Sequence, residues 1–182
     1  PTANASKPEI YAALLEAAAA LTTGETDGVA NMANVAALLG EFLPDCNWTG
    51  FYRMVDGELV LGPFQGKPAC VRIAVGRGVC GTAAARRETV VVPDVHAFPG
   101  HIACDSASNS EIVVPVVRDG ELLGVLDLDS PVRSRFDDAD ARFVAVHRSD
   151  LPCAATVRPR RGPAVALAQA AAARPCPCAH YH

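Results

Sequence analysis

Two Asp-Gly pairs, Asp56-Gly57 and Asp119-Gly120, each lie between runs rich in β-branched and aromatic residues. Such pairs tolerate the left-handed backbone of tight hairpin turns, so each run pair is predicted to fold back on itself. The first joins Asn47–Val55 to Glu58–Leu61, and the second joins Ile112–Val117 to Leu122–Asp129. A chain built on two hairpins makes an antiparallel sheet, and its helical segments must cover that sheet. Apolar residues recur at helical spacing over 7–22 and 28–43, the second run stopping before Pro44. Short strands are predicted over Val71–Val75 and Thr89–Val92, separated by the turn Gly76-Arg77-Gly78 and a short helix over Val79–Arg87. A last helix over 137–148 opens on Asp137 and Asp138, where the helix dipole favours acids. The fold class is therefore α+β: a central antiparallel sheet, N-terminal helices on one side and a closing C-terminal helix.

Composition divides the 182 residues in two. Residues 1–150 hold every Asp and Glu and carry a formal charge of −8, whereas 151–182 carry +4, giving the net −4. We expect one domain over 1–148 and an atypical, poorly ordered tail over 149–182, rich in Pro and Ala. An acidic body argues against nucleic acid as a partner. No uninterrupted apolar run approaches the ~18 residues a membrane span needs. The first residues lack the layout of a signal peptide, so a cytoplasmic home with reduced thiols is expected. Of seven cysteines, Cys46, Cys70, Cys80 and Cys104 belong to the body, and Cys153, Cys176 and Cys178 to the tail. In the tail, Cys176, Cys178, His180 and His182 form a short cluster that reads as incidental rather than as a metal site.

The segment Pro99–Glu111 departs most from a packed domain, because Cys104 sits there among small polar residues. A cysteine kept as core filler more often sits inside an apolar run, so Cys104 is either incidental or chemical, while Cys46 is expected in the core. Downstream, period two puts Asp127 and Asp129 on one face of their strand and Leu126 and Leu128 on the other. A three-residue Arg118-Asp119-Gly120 loop would set Glu111 opposite Asp127, and a two-residue loop would set it opposite Leu128. We expect the three-residue loop, which gathers three acids beside Cys104. Such acids repel, so one is expected to hold its proton or face a cation. No metal is expected: the strand supplies no His, and Gly76-Arg77-Gly78-Val79-Cys80-Gly81 is only loosely like a phosphate cradle. His96 and His101, flanking the loop, are expected as surface polar residues.

Several motifs together resemble a known family. They are Asn47-Trp48-Thr49-Gly50-Phe51-Tyr52, Gly76–Thr82, Asp94-Val95-His96, Gly100–Asp105, Ser108–Ile112 and Gly124–Ser130. Over about 7–145 the chain is similar to the free methionine-(R)-sulfoxide reductases, which are GAF-domain enzymes. The resemblance implies a GAF-like fold and reduction of free methionine (R)-sulfoxide to methionine. It implies Cys104 as nucleophile, Cys70 as the usual resolving cysteine and Cys80 as a third, auxiliary one. It also implies an acidic pocket of Glu111, Asp127 and Asp129 with Trp48 and Tyr52 as its aromatic wall. No bound cofactor is implied; thioredoxin would serve as external reductant, and a homodimer through the N-terminal helices would be consistent. After Val146 the chain departs from the family, whose members close with a longer amphipathic helix. Two other readings of the same residues are a sensory module that binds a small ligand and a thiol redox sensor without turnover.

Overall fold

In a computed structural model the chain is described over residues 5–102 and 105–146, with backbone alone over 143–146. The predicted tail over 149–182 lies outside these residues, as do Ala103 and Cys104. Helix α1 (Lys7–Thr22) begins where the Glu9 carboxylate accepts from the backbone N–H and hydroxyl of Ser6, with Pro8 in its first turn. Helix α2 (Gly28–Phe42) is capped by Asp27, whose carboxylate accepts from the N–H groups of Val29 and Ala30 at 2.8 and 2.9 Å. Strands β1 (Trp48–Val55) and β2 (Glu58–Gln65) follow, then β3 (Arg72–Ala74), helix α3 (Gly78–Arg86), β4 (Val90–Val92), β5 (Ser110–Arg118), β6 (Glu121–Ser130) and α4 (Asp138–Val146). The six strands form one antiparallel sheet in the order β3-β2-β1-β6-β5-β4.

Alternation along the strands sends side chains to two separate cores. Phe51, Ile112, Val114, Val116, Leu126 and Leu128 pack against Leu14 of α1 and Val35 and Leu39 of α2. Trp48, Tyr52, Val113 and Val125 face the other way, beneath Val79, Cys80, Ala83 and Ala84 of α3. Thr49 of β1, on the same strand face as Phe51, is tied to α2 by donating its hydroxyl proton to the Ala36 carbonyl at 3.0 Å. Helix α4 is latched to α1 by Asp140, which is 1% exposed and accepts from Lys7 Nζ at 2.6 Å and from the Tyr11 hydroxyl. Arg135 Nη1 lies 3.5 Å from the same carboxylate. Removing the Asp140 carboxylate would cost roughly 3–5 kcal/mol, since the largely buried Arg135 would keep its charge without that partner.

The second hairpin corrects our expected register. Its loop is the two-residue Asp119-Gly120, both residues left-handed (φ 51° and 79°), with Arg118 opposite Glu121. Two-residue loops of this kind match the strand twist, which is why the Asp-Gly pair prefers that turn to a three-residue one. The ladder does not then run on in register. Val117 pairs with Leu122 and Val116 with Gly124, so Leu123 is an extra residue in β6. That bulge shifts the strands by one, and Glu111 comes opposite Asp129 while Val113 comes opposite Asp127. Glu111 faces neither Leu128 nor Asp127, yet the bulge still brings all three acids to one face. Gly124 is the residue that permits it: a Cβ there would lie 2.2 Å from the Tyr52 carbonyl oxygen of the neighbouring β1. A glycine inside a strand is the mark of a bulge or a close backbone approach, and here it is both.

Candidate active site

The sheet face under α3 carries a cross-strand row. Trp48 of β1 pairs with Asp129 of β6, which pairs with Glu111 of β5. One step along, Gly50, Asp127 and Val113 form the next row. Gly50 has no side chain, and a Cβ there would lie 2.8 Å from the Trp48 ring, so the glycine leaves the indole room to lie across the sheet. Tyr52 and Phe64 stack on that indole at centroid distances of 5.9 and 5.3 Å, and its N–H donates to the Lys67 carbonyl at 3.1 Å. The aromatic wall is thus a rigid stack held by one directed hydrogen bond.

Over this floor sits a cavity of about 40 Å³ lined by Trp48, Tyr52, Cys80, Glu111, Asp127 and Asp129, with Arg77, His101, Ile102 and Asp105 around it. Cys80 enters from the first turn of α3. Its thiol donates to Asp127 Oδ2 at 3.2 Å, and Glu111 Oε1 lies 4.0 Å from the same sulfur. Glu111 and Asp127 are each 6% exposed. Burial pushes the Asp127 carboxyl up to about 7, against the lowering effect of hydrogen bonds with Cys80 and Glu111. Burial, and then the charges of Asp127 and Glu111, push the Cys80 thiol well above its usual range. Asp127 is therefore poised between its neutral and ionised forms near neutral pH, and Cys80 is a thiol donor rather than a thiolate. Burial, together with neighbouring His96, lowers His101, so its ring is a neutral donor-acceptor 4.0 Å from Glu111 Oε2. His101 is half-buried at the cavity, not the surface residue expected; His96 is exposed and meets Asn109.

The segment entering β5 is held to the same floor by residues our sequence reading did not assign to the site. Asn47 Nδ2 donates to Asp105 Oδ2 and to Ser108 Oγ, both at 3.1 Å. Lys67 Nζ pairs with Asp105 Oδ1 at 3.2 Å, and the Ala107 N–H donates to that oxygen at 2.9 Å. These contacts and burial act in opposite directions on Asp105, and the net effect holds it below the usual carboxylate range. The signal in the sequence was Asp105-Ser-Ala, an acid positioned to cap its own turn. Its distant partners could not be seen there.

Of the predicted site residues, the structure brings Trp48, Tyr52, Cys80, Glu111, Asp127 and Asp129 to one cavity. Cys70 is 1% exposed in the apolar cluster that includes Trp48 and Cys80, next to cavity-lining Ala69. Cys104 lies outside the described residues. Cys46, expected in the core, is half-buried against the α1/α2 cluster, and burial raises its thiol to about 11. For a cation, Cys80, Glu111 and Asp127 each offer one ligand atom, all within 4.8 Å of one another.

Comparison with known proteins places this architecture. The GAF domain model matches residues 14–146. The free methionine-R-sulfoxide reductase of Escherichia coli is 59% identical over 135 residues, covering 74% of this chain and 82% of that protein. The Saccharomyces cerevisiae protein of the same name is 45% identical over 151 residues, covering 79% and 84%. Among solved structures, the Neisseria meningitidis free methionine-R-sulfoxide reductase in complex with its substrate superposes with a TM-score of 0.78. That pair shares 47% identity over 82% of this chain and 90% of the other. The acidic, thiol-bearing cavity therefore stands on a GAF fold, and the chain belongs to the free methionine-R-sulfoxide reductase family of GAF-domain oxidoreductases.

Proposed function

We propose that this chain reduces free methionine (R)-sulfoxide to methionine, using Cys104 as nucleophile and an external dithiol such as thioredoxin to close the cycle. The observation that carries the reading is the proton-holding group of Asp127, Glu111 and Cys80 beside an aromatic wall. A sulfoxide sulfur is a poor electrophile until its oxygen receives a proton or a strong hydrogen bond. A buried carboxyl poised near neutrality can supply that proton. Asp129 and the ionised member of the Glu111–Asp127 pair then meet the substrate's ammonium, which explains why a free amino acid would be taken. The Trp48 and Tyr52 rings offer an apolar surface to the S-methyl group.

The Cys104 sulfur takes the sulfoxide oxygen, methionine leaves, and Cys104 becomes a sulfenic acid. A second thiol displaces water from it, forming a disulfide, and the dithiol reductant restores both thiols by exchange. Cys70 suits the resolving role better than Cys80, because the Cys80 proton is engaged by Asp127 and burial among acids opposes its ionisation. The buried acids and thiol that line the cavity favour this reading over a sensory module. No described helix is long and apolar enough to cross a membrane. A thioredoxin-driven cycle requires a reducing compartment, and the cytoplasm meets that requirement.

The test is NADPH consumption with thioredoxin, thioredoxin reductase and free methionine (R)-sulfoxide. Turnover by the wild-type chain and none by Cys104→Ser is expected. Binding of the sulfoxide without NADPH consumption would instead make the chain a sensor.

A further inference from the structure

The Cys80–Glu111–Asp127 group is a ligand set as well as an acid platform. A tetrahedral Zn²⁺ with Zn–S near 2.3 Å and Zn–O near 2.0 Å sets its sulfur and oxygen ligands ~3.5 Å apart. The observed separations from Cys80 Sγ, 3.2 Å to Asp127 Oδ2 and 4.0 Å to Glu111 Oε1, bracket that value. The second oxygen of Glu111 lies 4.0 Å from His101 Nε2, and His101 lines the same cavity. A separate observation also calls for a ligand. Asp127 Oδ1 is buried with no N–H or hydroxyl donor among the described residues, and beyond Cys80 the carboxyl's other hydrogen-bond partner is itself an acid, Glu111. A carboxylate oxygen left so in a packed interior is costly, and a cation relieves it.

We propose that Cys80, Glu111 and Asp127 bind one Zn²⁺ in this cleft, with the fourth position open to water, as a reversible inhibitor and not as a resident cofactor. One thiolate sulfur and two carboxylate oxygens around an open position suit Zn²⁺, whereas Mg²⁺ and Ca²⁺ require oxygen alone. On binding, the Cys80–H bond to sulfur breaks and a Zn–S bond forms. That proton leaves to solvent, as does the one on Asp127 when its carboxyl is neutral, and no electrons are transferred. Affinity must therefore rise with pH. The ion would occupy the acids that the substrate needs. The inhibitory half rests on the function proposed above; the binding half does not.

The test uses the reduced full-length chain with Zn²⁺ or Co²⁺ alone. Tetrahedral Co²⁺ at this site gives intense visible bands and a near-ultraviolet thiolate charge-transfer band. Cys80→Ser is expected to lose the charge-transfer band and to weaken Zn²⁺ at least ~10-fold in competition with a chromophoric chelator. Asp127→Asn is expected to weaken Zn²⁺ while keeping that band, which a misfolded variant would not do. The pair Cys176→Ser and Cys178→Ser removes any contribution from the tail. Equal Zn²⁺ affinity in wild type and Cys80→Ser, or bands that follow Cys176 and Cys178, would overturn the site. In the sulfoxide assay, Zn²⁺ should raise KM and a chelator should restore it; unchanged kinetics at saturating Zn²⁺ would overturn the inhibition. Absence of turnover in metal-free buffer would overturn the proposed function, leaving the cobalt spectrum to decide the site.

Discussion

Asn47 Nδ2 donates to Asp105 Oδ2 at 3.1 Å, joining the entry of β1 to the loop residue that follows Cys104. The same amide reaches Ser108 Oγ, and Lys67 holds the other oxygen of Asp105. Asn47→Asp would turn this bond into a repulsion between two carboxylates. We expect kcat/KM for the free sulfoxide to fall by roughly 10²-fold, the scale of an ångström's misplacement of a reacting group. Asn47→Ala, which removes the bond without repulsion, should cost less. Steady-state kinetics of the two variants provide the check, and equal losses would assign the effect to packing alone.

Asp127 predicts a pH dependence of stability. Its carboxyl is raised to about 7 in the fold from an ordinary value of 3.8, with Cys80, Glu111, Asp129, His101 and Arg77 around the same cavity. The folded chain therefore binds more protons than the unfolded chain between those values. The stabilisation is complete below about 3.8 and is lost as pH rises through about 7. Asp127→Asn removes this dependence, so the variant's Tm advantage over wild type should grow across that window and level off above it. Thermal melts in chelator-containing buffer measure it. A constant difference would mean that Asp127 is ionised throughout.

The two upstream cysteines should separate kinetically. Cys70→Ser is expected to release about one methionine per chain and then stop in the thioredoxin assay. Cys80→Ser should continue to recycle, with a lower first-turnover rate because Asp127 loses its thiol donor. Rapid-quench measurement of methionine gives both quantities. Continued recycling by Cys70→Ser would move the resolving role to Cys80.

Gly124 tests the register. An added methyl would meet the Tyr52 carbonyl at 2.2 Å and Arg53 Cα at 3.0 Å, both backbone of the adjacent strand. Gly124→Ala should destabilise the domain by about 1–3 kcal/mol or more, as overpacking does in a rigid interior. Its effect on activity should exceed its effect on Tm, because the bulge at Leu123 aligns Glu111 with Asp129. Denaturant melts beside the sulfoxide assay separate the two.

The amino-acid order by itself determined most of the local structure, because local structure depends on neighbours. Period and capping placed α1 over 7–22, and the Asp-Gly pairs placed both hairpins. Alternation put Asp127 and Asp129 opposite the leucines, and the motifs identified the family. The tertiary structure alone decided what depends on contacts distant in sequence. Which residue faces Glu111 turned on a one-residue bulge, whose only local trace is a strand glycine. The proton held by Asp127 comes from its burial under α3, and the grip on Asp105 comes from Asn47 and Lys67, 58 and 38 residues away. Periodicity fixes which face of an element a side chain takes; only packing sets what meets it there, and the chemistry of the cleft depends on that meeting.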